Sequence, residues 1–403
     1  MIVGGGPAGL TAALALAREA PALAARIVVI EKGTYPRDKL CAGALGGRGE
    51  RLLRELDALP ETPFLPIRGM ALAGRDATAR ARLDRPIGRV IRRIDFDAAL
   101  AATARARGIR VVDGTRVETV VAGSRGVRIA TSRGAIAASL VIGADGVGSR
   151  VRRAMGVPVG DLRAQVLEVD TERLPGEPDD ELRFDASERD FSGYYWDFPT
   201  PVGGRTLVSR GIYHLPREGG VRLEARLGAR LARLGLDLDR CGKKRFAERG
   251  FESPTRLASG SLALIGEAAG IDPVTGEGIA QAIEYGVLLG SFLPAVIAGE
   301  RPLDDWTEVV HASRLGRDLR ARSALVETFF GADRPAMERL FTAHPAVLRA
   351  GCRHFAGLPQ PPFDLASTAL AAAPALLASF SRRAWKTALS RLPALLRAEK
   401  PPS

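Results

Sequence analysis

The sequence predicts an α/β fold in which a parallel-sheet domain is interrupted by a sheet-rich insertion and followed by a helical C-terminal region. Three observations carry this. A glycine turn sits between an apolar run and an Ala/Leu helix in "MIVGGGPAGLTAALALA" at residues 1–17. Buried-strand runs that end in glycine turns return far along the chain, at "LVIGADG" and "LALIGEAAG". Between about 160 and 250 the pattern changes to polar strands punctuated by Pro and Gly.

Each element follows from its local pattern. "MIV", the glycine turn, the helix after it and "RIVVIEKG" read as strand, turn, helix and strand over residues 1–32. Apolar residues in the helix recur at a spacing that fills one face. "RRIDFDAALAATARARG" predicts a helix, and "IRVVDGTRVETVV" and "GVRIATSRG" predict alternating strands. "ASLVIGADGVGSRVRRAMG" is a buried strand, a tight turn and a helix. "SGYYWDFPTPVGGRTLVSRGIY" supplies strands of the insertion, and "VRLEARLGARLARLG" a polar helix within it. "GSLALIGEAAG" is again a buried strand and leads into the helix "GEGIAQAIEYGVLLGSFLPAVIAG". The predicted division is 1–155 for the first part of the nucleotide domain, with an excursion near 60–92 into the substrate domain. The substrate sheet occupies 156–255, the second part of the nucleotide domain 256–300, and the helical region 301–403.

At 403 residues the chain can bury a large core. Apolar residues make up 46% and charged residues 26%, the balance of a globular protein. The net charge of +12 raises nucleic acid as a partner, but only six of the 58 basic residues are Lys, they are scattered, and no nucleic-acid motif accompanies them. No nucleic-acid partner is expected. Cys41, Cys241 and Cys352 are too far apart in sequence for a disulfide framework or metal cluster and suit a reducing cytoplasm. His214, His311, His344 and His354 show no metal or triad spacing, so no metal site is expected. No segment reads as an uninterrupted transmembrane stretch.

Gly4, Gly6 and Gly9 form G-x-G-x-x-G. The first permits a tight turn, the second lets the main chain approach a pyrophosphate, and the third lets helix pack on strand. The helix N-terminus supplies N–H groups and a positive dipole end for phosphate. Glu31 lies 22 residues after Gly9, at the end of the next strand, where a carboxylate can accept from ribose hydroxyls. This loop alone does not separate FAD from NAD. Asp145, then Gly146 and Gly148, follow the second buried strand; Glu267, then Pro273, Gly276 and Gly278, follow the third.

With these three fingerprints in this order, the chain resembles the FAD-dependent hydroxylase-like flavoproteins. "YPRDKLCAGAL" (35–45) and "YYWDFP" (194–199) are similar to the geranylgeranyl reductase family within them. The resemblance covers roughly residues 1–300 and implies a Rossmann-like FAD-binding domain. It implies FAD contacts at Glu31, Cys41, Ala42, Arg93, Glu267, Gly278 and Ile279, beside Gly4, Gly6, Gly9 and Asp145. Arg93 is the arginine of the family's R-x-x-F-D pattern, here "RIDFD". Glu267 stands where the family has Asp, and "CAGAL" where it has "CGGGL". Family chains carry more residues before "IVGGG", so a clipped first strand or a late start is expected.

The helix that begins near Gly278 would aim N–H groups at a flavin anion. In the aromatic strand Tyr194, Trp196 and Phe198 share one face and Tyr195 and Asp197 the other. The first face is a substrate wall or a core stripe. Cys41 is a proton donor or a small buried hydrophobe, and Tyr194 and Trp196 are the other candidates for catalytic contact. Arg37 and Lys39 read as solvated or phosphate-facing. The resemblance implies reduction of C=C bonds in a polyprenyl substrate, with electrons from NAD(P)H or an acidic ferredoxin. A flavin monooxygenase or halogenase, and a non-catalytic prenyl-lipid carrier, are the alternatives. The tail "LASTALAAAPALLASFSRRAWKTALSRLPALLRAEK" suits either a helix lying on a membrane surface or a helical cap.

Overall fold

The computed structural model describes residues 1–360 apart from 125, 217–219 and 254. The tail to which the membrane-helix expectation applies lies outside the described residues.

Buried apolar strands stack in register to make the first sheet. Its order is Ala258–Ser259, Leu262–Leu264, Val141–Gly143, Ile2–Val3, Val28–Ile30, Arg110–Val112. All neighbours run parallel except the first pair. Ile2–Val3 is only two residues long, yet it pairs with strands on both sides. The three glycine turns, distant in sequence, therefore emerge along one edge, where a doubly wound sheet binds ligands. Helices Pro7–Glu19 and Ile279–Ile297 pack closely behind that edge. A Cβ added to Gly290 would lie 2.3 Å from the Ala15 side chain, so glycine sets their separation. Ile279–Ile297, with mean hydropathy 1.4, is by length and composition apolar enough to cross a membrane. This corrects the sequence reading; its packing on Pro7–Glu19 makes it a core helix here.

A second sheet runs Lys244–Arg249, Arg163–Thr171, Arg205–His214, Gly193–Val202, Glu181–Asp185, Gly69–Ala73, Thr78–Arg82. Residues 69–82 thus join strands from 163–249, while Phe64–Ile67 and Ala44–Gly46 each pair with Gly88–Ile91 in a separate three-stranded sheet. Alternation gives the sheet two different faces. Val166, Trp196, Phe198 and Tyr213 belong to one apolar cluster, while Leu167, Tyr195 and Ile212 belong to another with helix Leu223–Arg233. Helices Arg314–Phe330, Arg334–Ala343 and Pro345–Phe355 cover the first face. Arg334 fastens them: its buried guanidinium donates to the carbonyls of Phe191, Ala186, Glu188 and Gly193.

Candidate active site

The glycine loop is built as the motif requires. Gly4 has φ +107°, and a Cβ there would lie 2.2 Å from the Ala144 carbonyl oxygen. A Cβ on Gly9 would lie 2.0 Å from the Gly4 carbonyl oxygen. Both glycines are steric necessities of the turn. Gly6 differs, because the nearest atom to its added Cβ is Arg93 Nη2 at 3.6 Å, so that position faces open space. It precedes Pro7 at the start of the helix, where N–H groups lack intrahelical partners.

Glu31 is buried at the end of its strand and accepts from Gly5 N at 2.8 Å and Gly33 N at 2.9 Å. Arg37 pairs with Glu31 at 3.1 Å and with Asp97 at 3.1 Å. Arg93 grips the fully buried Asp97 with two bonds, of 2.7 and 2.6 Å. Arg37 is therefore not solvated, which corrects that half of the sequence reading; Lys39 is half-buried with its ammonium over the Phe246 ring. Tyr35 and Arg37 both donate to the Gly5 carbonyl and cover this end of the loop. Asp145 spends both carboxylate oxygens in its own turn, accepting from Ser149 Oγ and Arg150 N. Its described role is to hold the turn against Gly4. Glu267 is half-buried across that turn, with Oε2 3.4 Å from a Cβ built on Gly146.

A cavity of about 550 Å³ opens between the second sheet, the segments 41–44 and 274–279, and the C-terminal helices. Cys41, Ala42, Gly278 and Ile279 line one end of it. Gly4, Gly6, Gly9, Glu31, Arg93, Asp145 and Glu267 stand outside its lining, on the nucleotide side. Tyr194, Trp196 and Phe198 all line the cavity, so this face of the strand is both core packing and cavity wall. Tyr194 stacks on Tyr213, with ring centroids 5.1 Å apart. Their hydroxyls donate to Thr275 O at 2.6 Å and Pro273 O at 2.8 Å, tying the wall to the loop before Gly278. Behind the strand Asp197 accepts two bonds from Arg230, at 2.8 and 2.7 Å, and pairs with Arg210 at 3.0 Å.

Three contributors were not read from the sequence. The roof of the cavity is formed by Phe329, Phe330, Met337, Phe341 and Leu348 of the C-terminal helices. Glu248 lies on the cavity wall, and Oε2 has no hydrogen-bond partner among the described residues. Glu168 is fully buried next to the Cys41 main chain, and burial lifts its carboxyl to about 7 against Lys244 and Arg92. Their sequence signal was weak, since an acid in a polar strand ordinarily faces water.

The residues fit FAD. Gly6 leaves room for a pyrophosphate, Arg37 and Arg93 are the cations at that end, and Glu31, already held by Gly5 N, Gly33 N and Arg37, is the carboxylate that would meet a ribose. Cys41, Ala42 and the start of helix Ile279–Ile297 would hold the ring system at the cavity end.

Fold and site together define an FAD-dependent oxidoreductase. A family profile described as an FAD binding domain matches residues 1–177. A digeranylgeranylglycerophospholipid reductase from Methanothrix thermoacetophila is 29% identical over 323 residues, covering 74% of this chain and 78% of that one. The FAD-dependent monooxygenase OpS4 of Beauveria bassiana is 29% identical over 188 residues, 41% of this chain and 43% of that one. The crystal structure of a geranylgeranyl bacteriochlorophyll reductase-like protein from Thermoplasma acidophilum superposes with TM-score 0.65. It is 20% identical and covers 93% of this chain and 96% of that one, which shows the shared fold. The first part of the chain is thus an FAD binding domain, and the chain is similar to geranylgeranyl reductase-like oxidoreductases.

Proposed function

We propose that the protein reduces C=C bonds of a polyprenyl lipid. The observation that carries this reading is the cavity itself. Its exposed lining is mainly apolar although Glu248, Glu277, Arg322 and His354 also border it, its volume of about 550 Å³ is that of a small-molecule site, and one end meets the Cys41 and Gly278 segments. Bound FAD supplies hydride chemistry there. The chain's own part is to exclude water and to hold an alkene by dispersion between Trp196, Phe198 and the C-terminal roof. The similarity to the archaeal prenyl-lipid reductase supports this substrate class. NAD(P)H or an acidic ferredoxin is the proposed electron donor, the latter favoured by the net charge of +12. A cytoplasmic location with peripheral membrane contact through the tail agrees with a lipid substrate.

The test is anaerobic incubation of dithionite-reduced holoprotein with geranylgeranyl lipids, read by mass spectrometry. The expected product gains one pair of hydrogens per reduced bond. The similarity to an FAD-dependent monooxygenase supports the competing reading of oxygenation. Substrate-dependent oxygen uptake with an oxygenated product would establish it. Protein that takes up no FAD would establish the prenyl-carrier reading instead.

A further inference from the structure

We propose that Glu248 is the acid that delivers the proton completing C=C reduction, a role that rests on the alkene-reduction reading above. Among the described residues, the cavity-lining side chains with an unpaired buried polar atom are Glu248, His354 and Gln360. His354 and Gln360 lie with the last described helix and the segment after it. Glu248 is at the other end. Its Oε2 is 2.8 Å from a Cβ built on Gly276, three residues before the first residue of helix Ile279–Ile297.

The register explains its aim. Glu248 pairs with Ala164, and Phe246, two residues earlier, with Val166, so both share the face that carries Tyr213 and Trp196. The other O–H groups on this wall are committed, because Tyr194 and Tyr213 donate to main-chain carbonyls and burial holds both well above the phenol range. The Cys41 thiol is also raised by burial, with Arg93 pulling the other way, so it starts from a thiol's weak acidity and is weakened further. Glu248 is pushed well above the carboxylate range by burial first, then by Glu267, Asp272 and Glu168, with Lys39 opposing. Burial thus favours the protonated carboxyl at this position, the form that can donate.

The step balances. One alkene carbon takes the hydride supplied by the reduced cofactor. The Glu248 O–H bond breaks and a C–H bond forms at the other carbon with the former π pair. The resulting carboxylate regains a proton from water, and the two electrons come from the NAD(P)H or ferredoxin donor proposed above.

Infrared difference spectra of the purified holoprotein against Glu248→Gln provide a readout separate from turnover. A protonated-carboxyl carbonyl band at neutral pH that shifts in D2O and vanishes in the variant is expected. Its absence from the wild-type protein would overturn the proposal. In kinetics, Glu248→Gln should retain flavin and lose roughly 10²–10⁴-fold in turnover, while Cys41→Ala loses less. A larger loss in Cys41→Ala would also overturn it. Should Glu248→Gln fail to fold, the wild-type band must still disappear at alkaline pH. If no prenyl lipid is reduced by the wild-type protein, the substrate reading fails, whereas the band still reports whether Glu248 is held protonated.

Discussion

Replacing Gly6 with alanine should separate cofactor binding from folding. Gly6 has φ −88° and ψ −175°, which alanine adopts freely, and its added Cβ meets only Arg93 Nη2, at 3.6 Å. Alanine reduces unfolded-chain entropy, worth ~0.4–1 kcal/mol in favour. Alanine is also a poorer residue than glycine at a helix N-cap, which costs roughly the same. The two effects nearly cancel, so the flavin-free variant should unfold within ~1 kcal/mol of the wild type. The methyl group fills the space through which a pyrophosphate reaches the helix N–H groups. Losing two charge-assisted bonds of ~1.5–3 kcal/mol each weakens FAD binding by roughly 10²–10⁴-fold. Gly9→Ala is the control, because its Cβ would lie 2.0 Å from a main-chain oxygen and the fold itself must give. The assay is urea unfolding of the apoproteins alongside FAD titration by flavin fluorescence. Gly6→Ala protein that keeps FAD affinity within a few-fold would refute the loop assignment. Destabilisation comparable to Gly9→Ala would refute the argument that position 6 faces open space.

Three further outcomes are expected. In Gly211→Ala the new Cβ would sit 2.1 Å from Trp196 Cζ2, so the indole must leave its place on the cavity wall; turnover should fall at least ~10-fold with unchanged flavin content, at a stability cost of ~1–3 kcal/mol. Asp197→Asn strips the carboxylate that hydrogen bonds from Arg230 and the charge of Arg210 hold below its usual range despite burial. Arg210 keeps Glu177, while Arg230 is left with Asp185 at 3.5 Å, so the loss should be ~1–3 kcal/mol in urea unfolding, and no measurable loss would contradict the buried-pair argument. For Glu168 the rise from 4.5 to about 7 favours the neutral acid in the fold. Its contribution, ~3 kcal/mol, is complete below about 4.5 and is lost as pH climbs through about 7. Glu168→Gln should match the wild type at the acid end of that window and exceed it at alkaline pH; parallel pH–stability curves would count against the assignment.

The nucleotide half was legible because its chemistry constrains the main chain. Gly4 and Gly9 are fixed by contacts of 2.2 and 2.0 Å to carbonyl oxygens, and such a constraint leaves a residue-type signature at fixed spacing. The alternation of "GYYWDFP" likewise placed Tyr194, Trp196 and Phe198 on one face. Asp145 was less readable, since an acid after a buried strand serves a ligand or its own turn with the same sequence. The roof was not readable at all. Its helices are ordinary amphipathic segments, and their position depends on Arg334 meeting carbonyls more than 140 residues earlier in sequence. Glu248 and Glu168 were hidden for a related reason: strand pairing, not local pattern, turns each acid inward.

The aromatic strand is cavity wall and core at once, and its hydroxyls show why. Tyr194 and Tyr213 pack into the wall while holding the carbonyls of Thr275 and Pro273, within the six residues that precede helix Ile279–Ile297. The side chains that shape the substrate cavity thus also set the start of the helix that would face the flavin ring. A ligand that displaces this tyrosine pair acts on both ends of the site at once. The roof joins the same linkage, because Phe330 stacks on Tyr213 with ring centroids 6.3 Å apart and Arg322 pairs with Glu277 at 3.5 Å.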